Sequence, residues 1–338
     1  MVTMRDIADR YGVSVATVSK ALNDQKDIGR KTKEEIQKIA KEMGYAPNAA
    51  AKELKTNRTH NIGVLFVDEG HNGLTHNYFA HVLDSFKNKA EKSGYSIAFI
   101  NSCKESKGRL SYLNQCRSRG FDGVVIACVD YQDEEVIELL RSEIPVVTID
   151  YVFNDTINVI SDNNTGMKEL VQYIISKGHK KIAYIHGEGS SPVTRSRLLS
   201  FKKTCEDNGV SVPKEYVCEA TFRDVAKAYK QTEELLQLEN PPSCIIYPDD
   251  FAAFGGINAI NDNGLRIPED ISVAGYDGVE LGQCYKPQLT TIIQDTDKIG
   301  GEAAARLIEQ IEKPETSLIE VVVVRGKVFE GGSVGTYI

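Results

Sequence analysis

Residues 3–23 read "TMRDIADRYGVSVATVSKALN", and the order of capping, apolar and glycine positions in this stretch decides how the chain begins. Thr3 stands ahead of Met4, Ile7 and Ala8, the pattern of an N-cap followed by a short helix with one apolar face. Gly12 follows Tyr11, where a glycine can take the positive φ that a tight turn between helices demands. Val13 is placed to plug the corner, and Ser14 to cap a second helix running from Val15 to about Leu22. Helix, glycine turn, helix is the result, a shape that also occurs as a plain packing element. The residue types favour a reader of DNA. Val18 is the expected buried position, while Val15, Ala16, Thr17, Ser19 and Lys20 are left outward, short enough for the helix to sit deep in a major groove. Ser14, Thr17, Ser19 and Asn23 suit phosphate oxygens, Lys20 suits a guanine edge or a phosphate, and Val15 and Ala16 suit thymine methyls.

Working outward, a third helix is predicted over about 32–43, with Ile36, Ile39, Ala40 and Met43 at helical spacing and Gly44 as its stop. Pro47 then disfavours helix at Ala46, while Asn48 can cap a short segment over 49–55 that includes Ala51 and Leu54. Such a piece is too short to be stable alone in water, so it is expected to order only against a partner.

The charge of the chain separates this head from the longer body behind it. Net charge is −8 over 338 residues, yet residues 1–60 carry 12 Lys and Arg against 8 Asp and Glu, a balance of +4, which leaves −12 on the remainder. A basic head on an acidic body is expected where only the head meets nucleic acid. Hydrophobic residues at 41% and charged residues at 26% are ordinary for a globular protein, and no stretch approaches the ~18 consecutive apolar residues of a membrane helix. The chain opens charged and amphipathic, with no signal-peptide pattern, so the expectation is a cytoplasmic protein. Seven cysteines, odd in number and never spaced Cys-x-x-Cys, indicate neither a disulfide framework nor a zinc site.

After a polar linker, apolar runs of strand length appear at 62–67, 97–100, 123–128, 145–149, 158–161, 181–186, 244–247, 271–275 and 290–293, most of them separated by amphipathic helical stretches. Continuous apolar strands alternating with helices mean α/β architecture, with parallel sheets covered on both faces. Ligands of such sheets sit beyond the carboxyl ends of the strands. The candidates there are Asn77, Tyr78, Phe79, Asp150, Asp249 and Asp277, joined by Arg197, Phe222 and Gln294. Carboxylates and an arginine that can each bond two neighbouring hydroxyls, with aromatic faces beside them, make a pocket for a polyol, so a sugar or sugar derivative is the expected effector. A lone Asp at a strand end more often caps the next helix, and that alternative stays open for Asp249.

The stretches "TMRDIADRYGVSVATVSKALN", "KTKEEIQKIAKEMGYAPNAAAKEL", "SDNNTG", "GHKKIAYIHG" and "GLRIPEDISVAGYDG…PQLTTIIQD" together resemble the LacI/GalR (lactose/galactose/purine repressor) family of transcription regulators, in that family's order and through nearly the whole chain. The resemblance implies a small all-α helix-turn-helix DNA-binding domain over 1–46, a hinge helix and linker over 47–60, and a two-lobed periplasmic-binding-protein-like α/β domain over 61–338 that binds effector and dimerises. The first lobe would take about 61–160 and 294–320, the second about 162–291 and 321–338, with three crossings, of which 161–164 and 294–297 are short and polar as hinge strands should be. It implies further that the hinge helix folds on the operator and that Leu54 is wedged between base pairs of the minor groove. Thr3, Asn48 and Ala51 complete the candidate DNA contacts. Asp150, Arg197, Phe222, Asp277 and Gln294 fall on the family's effector-contacting positions. Two departures stand out: Gly29 replaces a helix-capping Ser common in the family, and Pro248 replaces the Asn that some sugar-binding members carry.

The partners expected on this reading are double-stranded operator DNA, a carbohydrate effector and a second copy of the chain, as a homodimer or higher oligomer. No cofactor is expected. The alternative is a cytosolic sugar-binding protein or an enzyme on the same scaffold. His76 and His81 are five apart, off a common helical face, and no His-Glu-x-x-His pattern occurs. "GEGSS" at 187–191 lacks the Gly-Lys-Ser/Thr ending of a phosphate loop, and no Gly-x-Ser-x-Gly elbow exists. No catalytic constellation is visible.

Overall fold

A computed structural model of the protein describes residues 2–22, 25, 27–45, 58–68, 73–103 and 108–337. The chain forms two compact units, Met1–Thr59 and His60–Ile338.

In the first unit, helices α1 (Met4–Tyr11), α2 (Val15–Leu22) and α3 (Arg30–Glu42) enclose a core of Ile7, Ala8, Val18, Ala21, Ile36 and Ala40. Thr3 caps α1 through a capping box with Asp6. Gly12 sits at φ 75°, in the left-handed region that favours glycine, and its N–H closes the helix on the Ala8 carbonyl at 2.8 Å. Val13 packs against the core at the corner. The helix that starts after Gly29 has no side-chain cap; its first-turn N–H groups go without the serine oxygen that the family commonly supplies. The predicted helix over 49–55 lies outside the described residues.

The second unit has two lobes. In the first, strands β1 (Asn61–Phe66), β2 (Ser96–Phe99), β3 (Gly123–Ala127), β4 (Val146–Ile149), β5 (Ile157–Ser161) and β11 (Val321–Val324) form a parallel sheet in the order β11-β5-β4-β3-β1-β2. Helices α4 (Asn77–Lys92) and α12 (Thr296–Glu312) cover one face around Val82, Phe86, Ile299, Ala303 and Leu307. Helices α5 (Tyr112–Arg119) and α6 (Glu134–Leu140) cover the other. In the second lobe, β6 (Ile182–His186), β7 (Val217–Glu219), β8 (Cys244–Ile246) and β9 (Ser272–Ala274) form a parallel sheet in the order β7-β6-β8-β9. Its faces are covered by α7 (Asn163–Ser176) and α8 (Pro192–Asp207) on one side, and by α9 (Val225–Leu236) and α10 (Asp250–Asp262) on the other. The short α11 (Glu280–Cys284) comes next, and β10 (Thr291–Ile293) pairs antiparallel with β12 (Lys327–Phe329).

The chain passes between lobes after β5, after β10 and after β11. One expected boundary is corrected. The sequence reading gives residues 321–324 to the second lobe, but these four valines pair in parallel register with Asn158–Ser161 and complete the first lobe's sheet, burying Val324. The third crossing therefore lies at 325–326, not at 320–321. The strand runs read from the sequence appear at the expected places, whereas β7, β11 and β12 are not among them.

Candidate functional site

On the first unit, α2 turns Val18 and Ala21 inward and leaves Ser14, Val15, Ala16 and Lys20 exposed, with Thr17 and Ser19 half-buried. Ser14 lends its hydroxyl to the start of the helix: the Thr17 N–H donates to Ser14 Oγ at 3.1 Å, and the two hydroxyls lie 2.9 Å apart. Lys20 Nζ pairs with Asp27 at 2.5 Å, with both side chains about half exposed. An ion pair in that setting holds its partner weakly, so Lys20 can exchange Asp27 for a phosphate. Thr3 is occupied as a cap, since its hydroxyl accepts from the Asp6 N–H at 3.3 Å. The structure thus places Ser14, Val15, Ala16, Thr17, Ser19 and Lys20 along one short helix, with Thr3 on its neighbour. Asn23, Asn48, Ala51 and Leu54 lie outside the described residues.

On the second unit, a cleft of about 470 Å3 opens between the lobes at the carboxyl ends of their strands. It brings together Tyr78, Phe79, Asp150, Arg197, Phe222, Asp277 and Gln294. Asn77 and Asp249 do not line it. Asn77 opens α4, and Asp249 is spent on structure. Asp249 Oδ1 accepts from the Ala252 N–H at 2.8 Å as the cap of α10, and Oδ2 accepts from the Arg223 N–H at 2.7 Å. Burial raises its pKa to about 6.

The polar centre of the cleft is built where chain passes between lobes. The Asp277 N–H donates to the Ile292 carbonyl at 2.9 Å, which fixes the strand end beside the β10 crossing. Gln294, on that crossing, donates through Nε2 to Asp277 Oδ1 at 2.7 Å. Arg197 of α8 is buried, with Nη2 at 3.9 Å from the same oxygen. Its other donors go to Asn163 Oδ1 at 2.7 Å and the Pro248 carbonyl at 2.9 Å, and its guanidinium stacks 3.5 Å from the centre of the Tyr276 ring. An arginine held at this many points is fixed in position before any ligand arrives. Burial raises the Asp277 pKa, opposed by the Arg197 charge and the Gln294 bond. For Arg197, burial pulls the pKa down, but Tyr276 and Asp277 outweigh it and the net shift is upward. Asp150 faces them from the first lobe. Its Oδ1 accepts from the Ser161 N–H at 2.8 Å and its Oδ2 from the Tyr78 hydroxyl at 2.5 Å. Burial also pushes the Tyr78 pKa well up, so this hydroxyl remains a donor.

Phe222 lies across Gly187, where a Cβ would come within 2.5 Å of its ring. The first glycine of "GEGSS" therefore clears space for an aromatic wall. Several lining residues were not read from the sequence. Tyr131 and Tyr151 stack with ring centres 3.6 Å apart and planes within 4°. His76, Arg195 and Arg223 line the cleft as well. The Arg223 guanidinium lies 4.1 Å from the Phe251 ring centre and reaches the Thr75 carbonyl of the opposite lobe at 3.5 Å. The strand-end rule that selected Asp150 would have found Tyr151, the next residue, and Tyr131, just beyond β3.

Known proteins share this construction. Residues 3–48 match the family described as bacterial regulatory proteins, lacI family, and residues 171–334 match the periplasmic binding protein-like domain. The HTH-type transcriptional repressor PurR of Pectobacterium atrosepticum is 32% identical over 328 residues, covering 95% of this chain and 94% of the relative. Its counterpart from Serratia proteamaculans is also 32% identical over 328 residues, with the same shares covered. Among solved structures, the lac repressor dimer bound to operator and the anti-inducer ONPF superposes with a TM-score of 0.80 at 26% identity, over 99% of both chains. The complex of the regulator CelR with cellobiose shares the fold at TM-score 0.71 and 20% identity, over 98% of this chain and 100% of that one. The chain belongs to the lacI family of bacterial regulatory proteins, transcriptional repressors that join a DNA-binding helix-turn-helix to a ligand-binding domain.

Proposed function

We propose that the chain represses transcription by binding a two-fold symmetric operator as a homodimer, and that a carbohydrate in the cleft between the lobes controls that binding. The observation that carries the effector class is the Asp277, Arg197 and Gln294 cluster facing Asp150. Fixed donors and acceptors lie side by side there, the arrangement that vicinal hydroxyls satisfy. The aromatic walls beside it suit the apolar face of a sugar ring.

One recognition helix spans few base pairs, and two half-sites read by a dimer multiply affinity and specificity. The lac repressor, solved as a dimer on its operator, supports this reading. Effector binding across both lobes changes the angle between them, and through the dimer it alters how the two heads can meet the operator. An inducer prefers the arrangement in which they cannot, and a corepressor prefers the other. The acidic balance of the body confines DNA contact to the head, and no described helix is long and apolar enough to cross a membrane.

The test is binding of the full chain to palindromic and random duplexes as salt is raised, with and without sugars. The reading expects a sequence-selective complex that outlasts the non-specific one as salt rises, and that strengthens or weakens on addition of one sugar. No selective complex at any salt, with or without sugar, overturns it.

A further inference from the structure

One contact between the lobes lies away from the crossings. In the first lobe's sheet, β5 and β11 run into crossings at one edge, and β1 lies three strand spacings from β5. In the second lobe, the chain entering β10 bridges to β9 between Thr290 and Ala274, and β7 lies three spacings from β9. At about 4.8 Å between neighbouring strands, β1 and β7 each stand roughly 14 Å from the strands that carry the crossings. Thr75, which ends the 3-10 turn Gly73–Thr75, follows β1, and Arg223 follows β7. These two residues meet: Arg223 Nη2 donates to the Thr75 carbonyl at 3.5 Å, at the mouth of the cleft.

Arg223 is held in place from its own side. Its backbone sits at φ 62°, in the left-handed region that a residue with a side chain keeps only where its surroundings impose it. Asp249, buried, imposes it here: its Oδ2 accepts from the Arg223 N–H at 2.7 Å. The guanidinium lies over the Phe251 ring, 4.1 Å from its centre, a cation–π contact that orients the planar group. Asp249 caps α10 and Phe251 lies in its first turn, so one helix start braces both the backbone and the side chain of Arg223. A hydrogen bond of 3.5 Å is at the long end of the range and holds weakly. Far from the crossings, though, a weak contact resists opening with a long lever, and it still releases when a ligand shifts the balance between lobe arrangements.

We infer that Arg223 is a latch between the lobes: braced by Asp249 and Phe251, it holds the mouth of the cleft together through the Thr75 carbonyl and so sets the lobe angle against which an effector acts. The latch stands on this geometry, and its bearing on operator control rests on the function proposed above. In this role Arg223 is a positioning residue that acts through the opposite lobe.

The test is hydrogen exchange of the full chain without sugar or DNA. Arg223→Ala should raise exchange by about two- to tenfold, the factor that one net hydrogen bond contributes, in two separate places: around residues 221–225, and across the cleft in the first two turns of α4. A role confined to the second lobe would move the first segment and leave α4 unchanged, and that result overturns the inference. Phe251→Leu keeps an apolar side chain but removes the ring, and it should produce the same pair of changes at smaller size. Arg223→Lys keeps a long cationic donor and should restore part of the protection at α4. Unchanged exchange in β6 and β8 shows that the second lobe stays folded in each variant. An α4 segment that responds to neither Arg223→Ala nor Phe251→Leu sinks the latch whatever the ligand is. Failure of every sugar and duplex to bind overturns the proposed function and leaves the latch standing, because no ligand enters this measurement.

Discussion

The head and the cleft hold their functional side chains in opposite ways. On α2, Ser14, Val15, Ala16 and Lys20 are exposed, and the ion pair of Lys20 with Asp27 joins side chains about half in water. In the cleft, Arg197 is buried and committed to Asn163, the Pro248 carbonyl, Tyr276 and Asp277. The contrast follows from the partner. A DNA surface brings its own charges and releases counterions on contact, so the reading helix gains from side chains that can trade a weak partner for a phosphate. A small ligand offers only a few hydrogen bonds, which register strongly only if the protein groups are already fixed. On the head, Val15, Ala16 and Lys20 are spared from the fold while Thr3 and Ser14 also cap helices, whereas in the cleft Arg197 and Asp277 serve both site and fold.

That contrast can be broken most directly at Arg197. Arg197→Ala leaves Asp277, whose side chain is only 16% exposed, without its counter-charge, and removing one member of a buried pair costs about 3–5 kcal/mol. Chemical denaturation of the second unit should show a loss of that size, and an unchanged midpoint would mean that the cleft is not pre-built. Asp277→Asn keeps the shape but removes the charge. A charge-assisted hydrogen bond contributes about 1.5–3 kcal/mol, so effector affinity should fall by about tenfold or more while operator affinity without effector stays the same. Loss of operator binding in that variant would make Asp277 a structural residue instead.

On the head side, Leu54→Ala should weaken specific binding by about 1.5–3 kcal/mol, the value of burying a leucine side chain, because an apolar wedge acts only on the bent operator. Equal losses on random and palindromic duplexes would refute the wedge. A titration separates the two regions further. Asp249, with its pKa raised to about 6, binds its proton more tightly folded than unfolded. Its contribution to stability is therefore complete below about pH 4, where an unfolded Asp titrates, and is lost as pH rises through about 6. Relative to Asp249→Asn, the unaltered protein should lose about 1–3 kcal/mol of stability over that interval, and a constant difference would contradict the shift. The smallest effect belongs to Lys20→Ala. Its pair with Asp27 is exposed, so stability should change by less than about 1 kcal/mol, while the salt dependence of DNA binding loses about one unit of slope. A large fall in melting temperature would show that the reading helix is not free of the fold.

The head was legible in the sequence because its determinants are local. A cap, an apolar spacing and one glycine lie within a few residues of each other, and Thr3, Gly12, Val13 and Val18 hold the positions that this spacing assigns. The body's strands were legible as apolar runs, but their membership of a lobe was not. The valines of β11 are as plain a run as any, yet only their register on β5, from which some hundred and sixty residues of sequence separate them, places them in the first lobe. In the site, carboxylates at strand ends were found by type, and type alone did not separate Asp277, which lines the cleft, from Asp249; the capping role left open for Asp249 is the one its two oxygens take, closing a helix cap and a loop. Tyr131 and Tyr151 stand where the strand-end rule applies, but only the fold shows that they stack on each other at the cleft wall.

Three separate stretches of chain join the lobes, after β5, β10 and β11, and this has a mechanical consequence. One tether would let two bodies swivel freely, and two would still permit twisting about the line between them. Three side-by-side tethers hinder sliding and twisting and leave bending as the easiest motion. The free energy that a ligand supplies is then channelled into a single rotation, so a molecule buried in the cleft can be reported at the far end of the lobe as one angle.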